Sequence, residues 1–140
     1  MLSSKTPAAI NDSTSLYEMV KKIQLRLLPE ATGKKSFVIN DVSKSDFVDI
    51  EEKKLCLLFG NLLRNAINRT SDCCIRIQTE TVNGEHRLCI RNNGNCSYSS
   101  YINSLVPLTE TARAAGANIG LDAIDNRGIT VFFVAAADPS

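Results

Sequence analysis

The spacing of apolar residues predicts two amphipathic helices in the first half of the chain. From Ser15 to Leu28, apolar residues recur every three or four positions, and Pro29 ends the pattern. From Glu51 to Asn68 the same spacing gives one longer, continuous stripe. Its members are Leu55, Leu58, Phe59, Leu62, Leu63, Ala66 and Ile67. We therefore expect the second helix to bury one whole face in the core of the domain.

Short β-branched or alternating segments predict strands around these helices. Asn83-Gly84, which lies between two alternating segments, is typical of a hairpin turn. The predicted strands cover residues 36–40, 47–50, 73–80, 86–92 and 129–135. The segment 93–117 is rich in Gly, Asn, Ser and Ala and has little periodicity, which predicts a long loop. "NIGLDAIDNRG" (118–128) has the pattern of a short helix that Gly128 ends.

The order of these elements indicates an α+β fold. Helices and strands are expected in the order α-β-α-β-β-loop-α-β, which is typical of a two-layer sandwich with a mixed sheet and helices on one face. We expect a flexible lead-in at residues 1–14, one domain at 15–137 and a tail at 138–140. A chain of 140 residues is long enough for one core, and no linker or repeat divides it.

Composition narrows the classes of function. The net charge of +1 gives no electrostatic reason to expect nucleic acid or an anionic membrane as a partner. The longest apolar run, "VFFVAAA" (131–137), is too short to cross a bilayer, and the N-terminus lacks the apolar core of a secretory signal. The five cysteines form no CxxC pair. They are therefore expected to be reduced, mostly buried residues of a cytoplasmic protein.

Two asparagines on the second helix are the first candidates for chemistry. Asn61 and Asn65 are one helical turn apart, and both fall on one flank of the apolar stripe. Asparagine is a mediocre helix former, so two on one flank need a reason. One reason is a cleft beside the sheet, where carboxamide oxygens suit Mg²⁺ held between phosphates. The alternative is two ordinary surface asparagines.

Two glycine turns follow in an order that suits a nucleotide. "RNNGN" (91–95) ends a predicted strand, and "GANIGL" (116–121) opens the predicted helix. Glycines let backbone N–H groups approach a phosphate closely, and a helix N-terminus offers unpaired donors and a positive partial charge. The order of asparagines, strand-end turn and helix-opening turn is therefore expected of a nucleotide site.

At these motifs the chain resembles the ATP-binding catalytic domain of sensor histidine kinases, a member of the GHKL group with its Bergerat-type sandwich. The likeness extends from about Leu16 to Val134. "LLFGNLLRNAINRT" (57–70) is similar to the family's N box, and "IRNNGN" (90–95) is similar to its G1 box. "GANIGL" is similar to its G2 box, and "SLVPLTE" (104–110) to a stretch of its mobile lid.

The resemblance implies a role for each candidate residue. Asn65 would bind Mg²⁺, and Asn61 would lie near the γ-phosphate as the catalytic asparagine. Asn92 would receive the adenine amino group, and residues from about 95 to 117 would form the lid. The remaining nucleotide-binding candidates are Gly94, Arg113, Gly116, Asn118 and Gly120. The implied cofactor is Mg-ATP.

The boxes depart from the family pattern at several positions. Asn92 stands where the family has an aspartate, so a bond to adenine would lack the strengthening charge. Cys96 and Asn118 replace glycines that would approach the ligand, and leucines replace the phenylalanines of the lid. The only histidine, His86, lies beside the hairpin turn and fits no phosphoacceptor motif.

Two functions from different classes remain open. The first is the ATP-binding catalytic domain of a two-component histidine kinase, which transfers the γ-phosphoryl group to a histidine on a separate dimerisation domain. The second is a degenerate GHKL domain that binds no nucleotide and serves as a docking or phosphotransfer module. The expected partners are a histidine-bearing dimerisation domain, a response regulator and ATP. The expected location is the cytoplasm, either free or as part of a membrane-anchored sensor.

Overall fold

Helices and strands account for most of residues 14–92, 98–123 and 129–135, which the computed structural model describes. The helices are α1 (Leu16–Arg26), α2 (Leu28–Gly33), α3 (Glu52–Asn68) and α4 (Tyr98–Ala114). The strands are β1 (Thr14–Ser15), β2 (Phe37–Asn40), β3 (Phe47–Val48), β4 (Cys74–Val82), β5 (Glu85–Asn92), β6 (Ala117–Ala123) and β7 (Ile129–Ala135). The predicted lead-in, apart from Thr14, and the predicted tail lie outside the described residues.

A mixed five-stranded sheet is the framework of this part of the chain. Its strand order is β2-β4-β5-β7-β6. Strand β2 runs parallel to β4, and the other neighbouring pairs are antiparallel. Strands β1 and β3 form a separate two-stranded ribbon. The β4–β5 hairpin turns at Asn83 and Gly84, with φ values of 52° and 83°, which an Asn-Gly pair adopts easily. The hairpin prediction is therefore confirmed.

Helix α3 forms the centre of the core. Its predicted apolar stripe, from Leu55 to Ile67, is buried throughout. The stripe belongs to one cluster with the buried side of α1 and with the inward residues of β4 and β5, such as Ile75, Ile77 and Ile90. Because successive side chains of a strand point to opposite faces, the alternate residues of β4 face away from the helices. The predicted two-layer α+β fold with helices on one face is confirmed.

The first predicted helix ends earlier than its sequence pattern indicates. Helix α1 ends at Arg26, and the short helix α2 begins at Leu28. Pro29 lies in the first turn of α2, where the missing N–H of proline breaks no helical hydrogen bond. The proline therefore starts a second helix instead of stopping the first one.

The long loop predicted for residues 93–117 is wrong for its greater part, because residues 98–114 form helix α4. One side of α4 is buried against α3 and β6. Its buried and half-buried apolar residues, together with Ala115 just after the helix, recur at i, i+3, i+7 and i+10, which is a helical spacing. They are Leu105, Leu108, Ala112 and Ala115. Two of the four are alanines, so the stripe is much weaker in the sequence than that of α3.

The helix predicted for residues 118–128 is also wrong within the described residues. Residues 117–123 form strand β6, which pairs with β7 along its whole length. Ala117 is buried and Ile119 is half-buried, whereas Asn118 between them is exposed. This alternation has the period of a strand, not of a helix. Residues 124–128, including the predicted helix end at Gly128, lie outside the described residues.

The lengths of the helices and the state of the cysteines bear on the expected location of the protein. Within residues 14–92, 98–123 and 129–135, no helix is both long and apolar enough to cross a bilayer. Cys56, Cys73, Cys74 and Cys89 form no disulfide among the described residues, and Cys73 and Cys89 are buried.

Candidate functional site

Helix α3 directs Asn65 toward helix α4. The half-buried carboxamide of Asn65 donates a hydrogen bond from Nδ2 to Ser104 Oγ at 2.9 Å. The next residue of α4, Leu105, is only 5% exposed, so its packing holds this turn against the core. The candidate metal ligand is thus bonded to the segment that the resemblance assigns to a lid.

Asn61 lies one turn earlier on α3 but faces a different neighbour. It lines a cavity of about 100 Å³ between α1 and α3. Its side chain makes no hydrogen bond to another residue in the described part of the chain. The other residues around this cavity are Ile23, Arg26, Leu27, Cys56, Leu57, Gly60 and Arg64. The two asparagines therefore share one flank of α3, as predicted, but contact different elements.

Asn92 at the end of β5 has a buried carboxamide. The residue is 3% exposed, and neither Nδ2 nor Oδ1 forms a hydrogen bond with the described residues. In the sheet Asn92 is paired with Ile75 on β4 and with Ile129 on β7. An unsatisfied buried polar group costs about 1–3 kcal/mol, and native proteins contain few of them. Asn92 therefore marks a place where an additional hydrogen-bonding partner would be favourable.

The register of the sheet separates the predicted G2 residues from Asn92. Asn92 is aligned through β7 with Ala123 at the far end of β6. Gly120 is aligned through Phe132 with Cys89. Along the strands, this position is three residues, or roughly 10 Å, away from Asn92. Because partners in register point to the same face, Gly120 and Asn118 lie on the face of the sheet opposite to that of Asn92. The sheet does not bring these candidates together.

The remaining candidates are dispersed. Arg113 is exposed, and its Nη1 lies 2.8 Å from Glu110 Oε1 in the same helix, which is an ordinary surface ion pair. Gly116 forms the turn between α4 and β6 with a φ of 79°, a conformation that favours glycine. Gly94 and Cys96 lie outside the described residues.

The residues present fit an adenine ring better than a magnesium triphosphate. Asn92 Nδ2 and Oδ1, which lack partners among the described residues, match the acceptor N7 and the adjacent amino group of adenine. Asn65 donates to Ser104 through Nδ2, which leaves its Oδ1 available as a ligand for Mg²⁺. In contrast, strand β6 stands where a phosphate-binding helix N-terminus is predicted. Residues 117–123 therefore do not supply the predicted cradle for the phosphates.

Ser104 and Gly60 contact these sites but were not among the candidate residues predicted from the sequence. Ser104 becomes the partner of Asn65 only because residues 98–114 are helical, and the weak stripe starting at Leu105 is the signal that could have revealed this helix. Gly60 lines the cavity beside Asn61, and a glycine inside an otherwise regular helix is its signal in the sequence.

The fold is similar to those of solved histidine kinases, although no protein-family model and no curated protein matches the sequence significantly. The catalytic domain of histidine kinase ThkA superposes with a TM-score of 0.71 at 14% identity, over 89% of this chain and 93% of that one. The cytoplasmic segment of histidine kinase QseC gives 0.68 at 18% identity, over 87% of this chain and 75% of that one.

Two histidine kinases solved in complexes also superpose on this chain. ThkA in complex with response regulator protein TrrA gives a TM-score of 0.70 at 17% identity, over 88% of this chain and 40% of that one. Full-length ShkA in complex with AMPPNP gives 0.64 at 16% identity, over 89% of this chain and 31% of that one. From its sheet order, its buried N-box helix and these superpositions, this chain has the fold of the catalytic domain of sensor histidine kinases.

Proposed function

We propose that this chain is a domain of a two-component kinase that binds the adenine end of a nucleotide through Asn92. The observation that carries the proposal is the buried carboxamide of Asn92, whose donor and acceptor both lack a partner among the described residues. Adenine presents an acceptor and a donor side by side, and an asparagine side chain pairs with both at once. Bound adenine would therefore supply the two hydrogen bonds that the described residues do not make to Asn92.

The proposed site discriminates strongly between purines. A buried site that hydrogen-bonds a particular group of its ligand rejects analogues that lack the group, because its own polar atoms are then left unpaired. On the edge formed by N7 and the 6-position, inosine carries a carbonyl oxygen where adenosine carries the amino group. It therefore offers Asn92 two acceptors and leaves Oδ1 without a donor. We expect inosine to bind at least a hundredfold more weakly than adenosine.

The triphosphate end of the proposed site differs from the one that the resemblance implies. The helix that carries Ser104 packs against Asn65 on the flank where the triphosphate is predicted, and residues 117–123 form a strand. We therefore propose that Mg²⁺ and the terminal phosphates add little to binding. Transfer of the γ-phosphoryl group, with Asn61 as the catalytic residue and Asn65 as the metal ligand, is a further activity to assay if the experiment below finds that Mg²⁺ strengthens nucleotide binding.

The kinds of partner follow from the same fold. ThkA has been solved with a response regulator and ShkA with AMPPNP, and we extend both kinds of partner to this chain as part of the proposal. His86 Nε2 lies 3.7 Å from Asp46 Oδ1 beside the hairpin, away from Asn92 at the other end of β5. A phosphoacceptor histidine would therefore come from a separate dimerisation domain. QseC is described as a cytoplasmic segment, which supports a cytoplasmic location for this chain.

Calorimetry and thermal shift test the proposal with four ligands: adenosine, inosine, ADP and Mg-AMPPNP. We expect adenosine to bind, inosine to fail, and Mg-AMPPNP to bind no more tightly than adenosine, with or without chelator. Ligand at a hundred times its dissociation constant should add about 2.7 kcal/mol of apparent stability. Asn92→Leu should abolish the response, whereas the exposed Asn118→Leu control should keep it.

Either of two results would change this conclusion. If adenosine produces no shift at millimolar concentration, the adenine site does not exist. If Mg²⁺ strengthens AMPPNP binding and Asn65→Ala removes that effect, the complete Mg-ATP site is present, and our account of the triphosphate end is wrong. Phosphoryl transfer to an isolated dimerisation domain would then be the next assay.

A docking module without nucleotide is the second candidate, and the packing of α4 favours it. Ser104 bonds Asn65 while Leu105 and Ala112 are buried against the core, so this helix occupies the flank where a triphosphate is predicted. In that case the chain would bind a dimerisation domain or a response regulator equally well with and without adenosine. A nucleotide-independent dissociation constant, measured by calorimetry with such a partner, would identify this candidate.

A further inference from the structure

The cavity between α1 and α3 faces a different neighbour from the one that Asn65 contacts. We propose that it is the anchor point of a docking groove for an acidic helical segment of a partner protein. The segment would seat one aliphatic side chain over Gly60 and place carboxylates next to Arg26 and Arg64. This inference is independent of nucleotide binding at Asn92.

Gly60 is the first reason to regard this cavity as a binding surface. Glycine weakens the interior of a helix relative to alanine. A Cβ atom at Gly60 would meet only Ile23 Cδ1, at 3.8 Å, which is an ordinary contact. The φ of Gly60 is not positive, so the backbone does not require glycine either. The missing methyl group leaves the floor of the cavity open at a cost to the helix.

The lining of the cavity suits one aliphatic side chain. Ile23 and Leu27 are fully buried and form its apolar base, whereas Leu57 at the rim is 61% exposed. Burial raises the pKa of the neighbouring Cys56 thiol, which keeps this wall uncharged. A cavity of roughly 150 Å³ accommodates benzene, so the volume of about 100 Å³ here fits the end of one aliphatic side chain.

Charge on the rim indicates an acidic partner. Arg26 forms no ion pair with any residue in the described ranges, and Arg64 Nε lies 3.3 Å from a carboxylate oxygen of the exposed Glu30. No acidic residue lines the cavity itself. Because both arginines are at least partly exposed, partner carboxylates can approach them without burial of an unpaired charge.

A wider groove adjoins the cavity along the first turns of α3. The two share Arg26, Cys56 and Leu57. At its far end Lys22 and Glu52 form an ion pair with each other. Glu51 and Lys53 also line the groove without an ion pair to another described residue, and their opposite charges offset each other. Arg26, beside the cavity, is therefore the cation of the groove that no described carboxylate pairs or offsets, and the partner's carboxylates should lie next to it.

An amide NMR titration of the full chain tests the proposal. The probe is an alanine-rich helical peptide with a central leucine and a glutamate one turn to each side. Its matched control carries lysines in place of the glutamates. We expect the glutamate peptide to shift the Gly60 amide resonance and the lysine peptide to leave it unchanged. Arg26→Glu should weaken binding at least tenfold, because it reverses the unpaired charge on the rim.

Matched variants separate docking from general effects of charge and folding. Lys21→Glu changes the net charge equally on the same helix but lines neither the cavity nor the groove, and it should alter binding less than twofold. Gly60→Met should fill the cavity and abolish binding while the circular dichroism spectrum stays native. Where this variant fails to fold, the comparison of Arg26→Glu with Lys21→Glu decides.

Three outcomes would overturn the proposal. The first is the absence of any shift at Gly60 with millimolar glutamate peptide. The second is equal binding of the lysine peptide, which would remove the role of the arginines. The third is a shift of the Gly60 resonance by inorganic phosphate as large as that by the peptide, because the cavity would then be a small-anion site.

Discussion

Replacement of Asn92 by leucine should stabilise the ligand-free protein. The carboxamide is buried at the end of β5, and its Nδ2 and Oδ1 both lack hydrogen-bond partners among the described residues. Leucine has nearly the same shape but no polar atoms, so it removes the desolvation penalty without opening a large void. The same change removes both groups that would read adenine.

The size of the effect follows from the two orphaned atoms. Each unsatisfied buried group costs about 1–3 kcal/mol, and part of that cost is offset by imperfect packing of the new side chain. We expect a net gain of about 2 kcal/mol in the free energy of unfolding. For a domain of this length, this corresponds to a rise of roughly 6–10 °C in Tm. Asn92→Asp should have the opposite sign, because it buries an unpaired carboxylate.

Urea unfolding measures the prediction directly. The chain contains no tryptophan, so circular dichroism is the natural probe. The control is Asn118→Leu at an exposed position of β6, which should change the stability by less than about 0.5 kcal/mol. A loss of more than about 1 kcal/mol in Asn92→Leu would show that the carboxamide is satisfied in the folded protein. The proposal that Asn92 hydrogen-bonds adenine would then fail.

Three further substitutions test helix packing and thiol burial. Gly60→Ala should add about 1 kcal/mol to the free energy of unfolding, because alanine is the better helix former and its methyl group fits, whereas Gly33→Ala at the end of α2 should add less. Leu105→Ala should lower the free energy of unfolding in urea by about 3 kcal/mol, whereas Val106→Ala, at the adjacent exposed position, should change it very little. Equally small effects of the two substitutions would mean that α4 is not packed against the core. Burial raises the pKa of Cys89 from 9.0 to about 12, so unfolding releases a proton between these values and stability falls as pH rises through that window. Cys89→Ala should flatten this part of the stability profile, and an unchanged slope would contradict the assignment.

Strong periodicity made the central part of the fold predictable. The stripe of α3 consists of large apolar residues at every core position, and the structure has this helix at Glu52–Asn68, within one residue of the predicted range. The hairpin at Asn83-Gly84 was predictable for a different reason, since that dipeptide favours the left-handed conformations that the turn requires. The last strand, Ile129–Ala135, has the predicted bounds.

Weak patterns and one misleading motif explain the errors. Helix α4 has two alanines in its four-residue buried stripe and Pro107 in its interior, so neither apolar volume nor propensity indicated a helix. The pattern of residues 118–128, with Gly128 as a helix end, predicts a helix, although Ala117 and Ile119 already alternate as in a strand. The candidate site was only partly predictable, because the partner of Asn65 lies on α4 and the face of Asn118 depends on sheet register.

Pro107 gives α4 a built-in hinge. Proline has no N–H, so the carbonyl group of Asn103, four residues earlier, lacks its usual helical hydrogen bond. The turns before this point include Ser104, whereas the turns after it are anchored by the buried Ala112. Separation of the first half of the helix from Asn65 would therefore cost one side-chain hydrogen bond and the packing of Leu105, but no backbone hydrogen bond between Pro107 and Asn103.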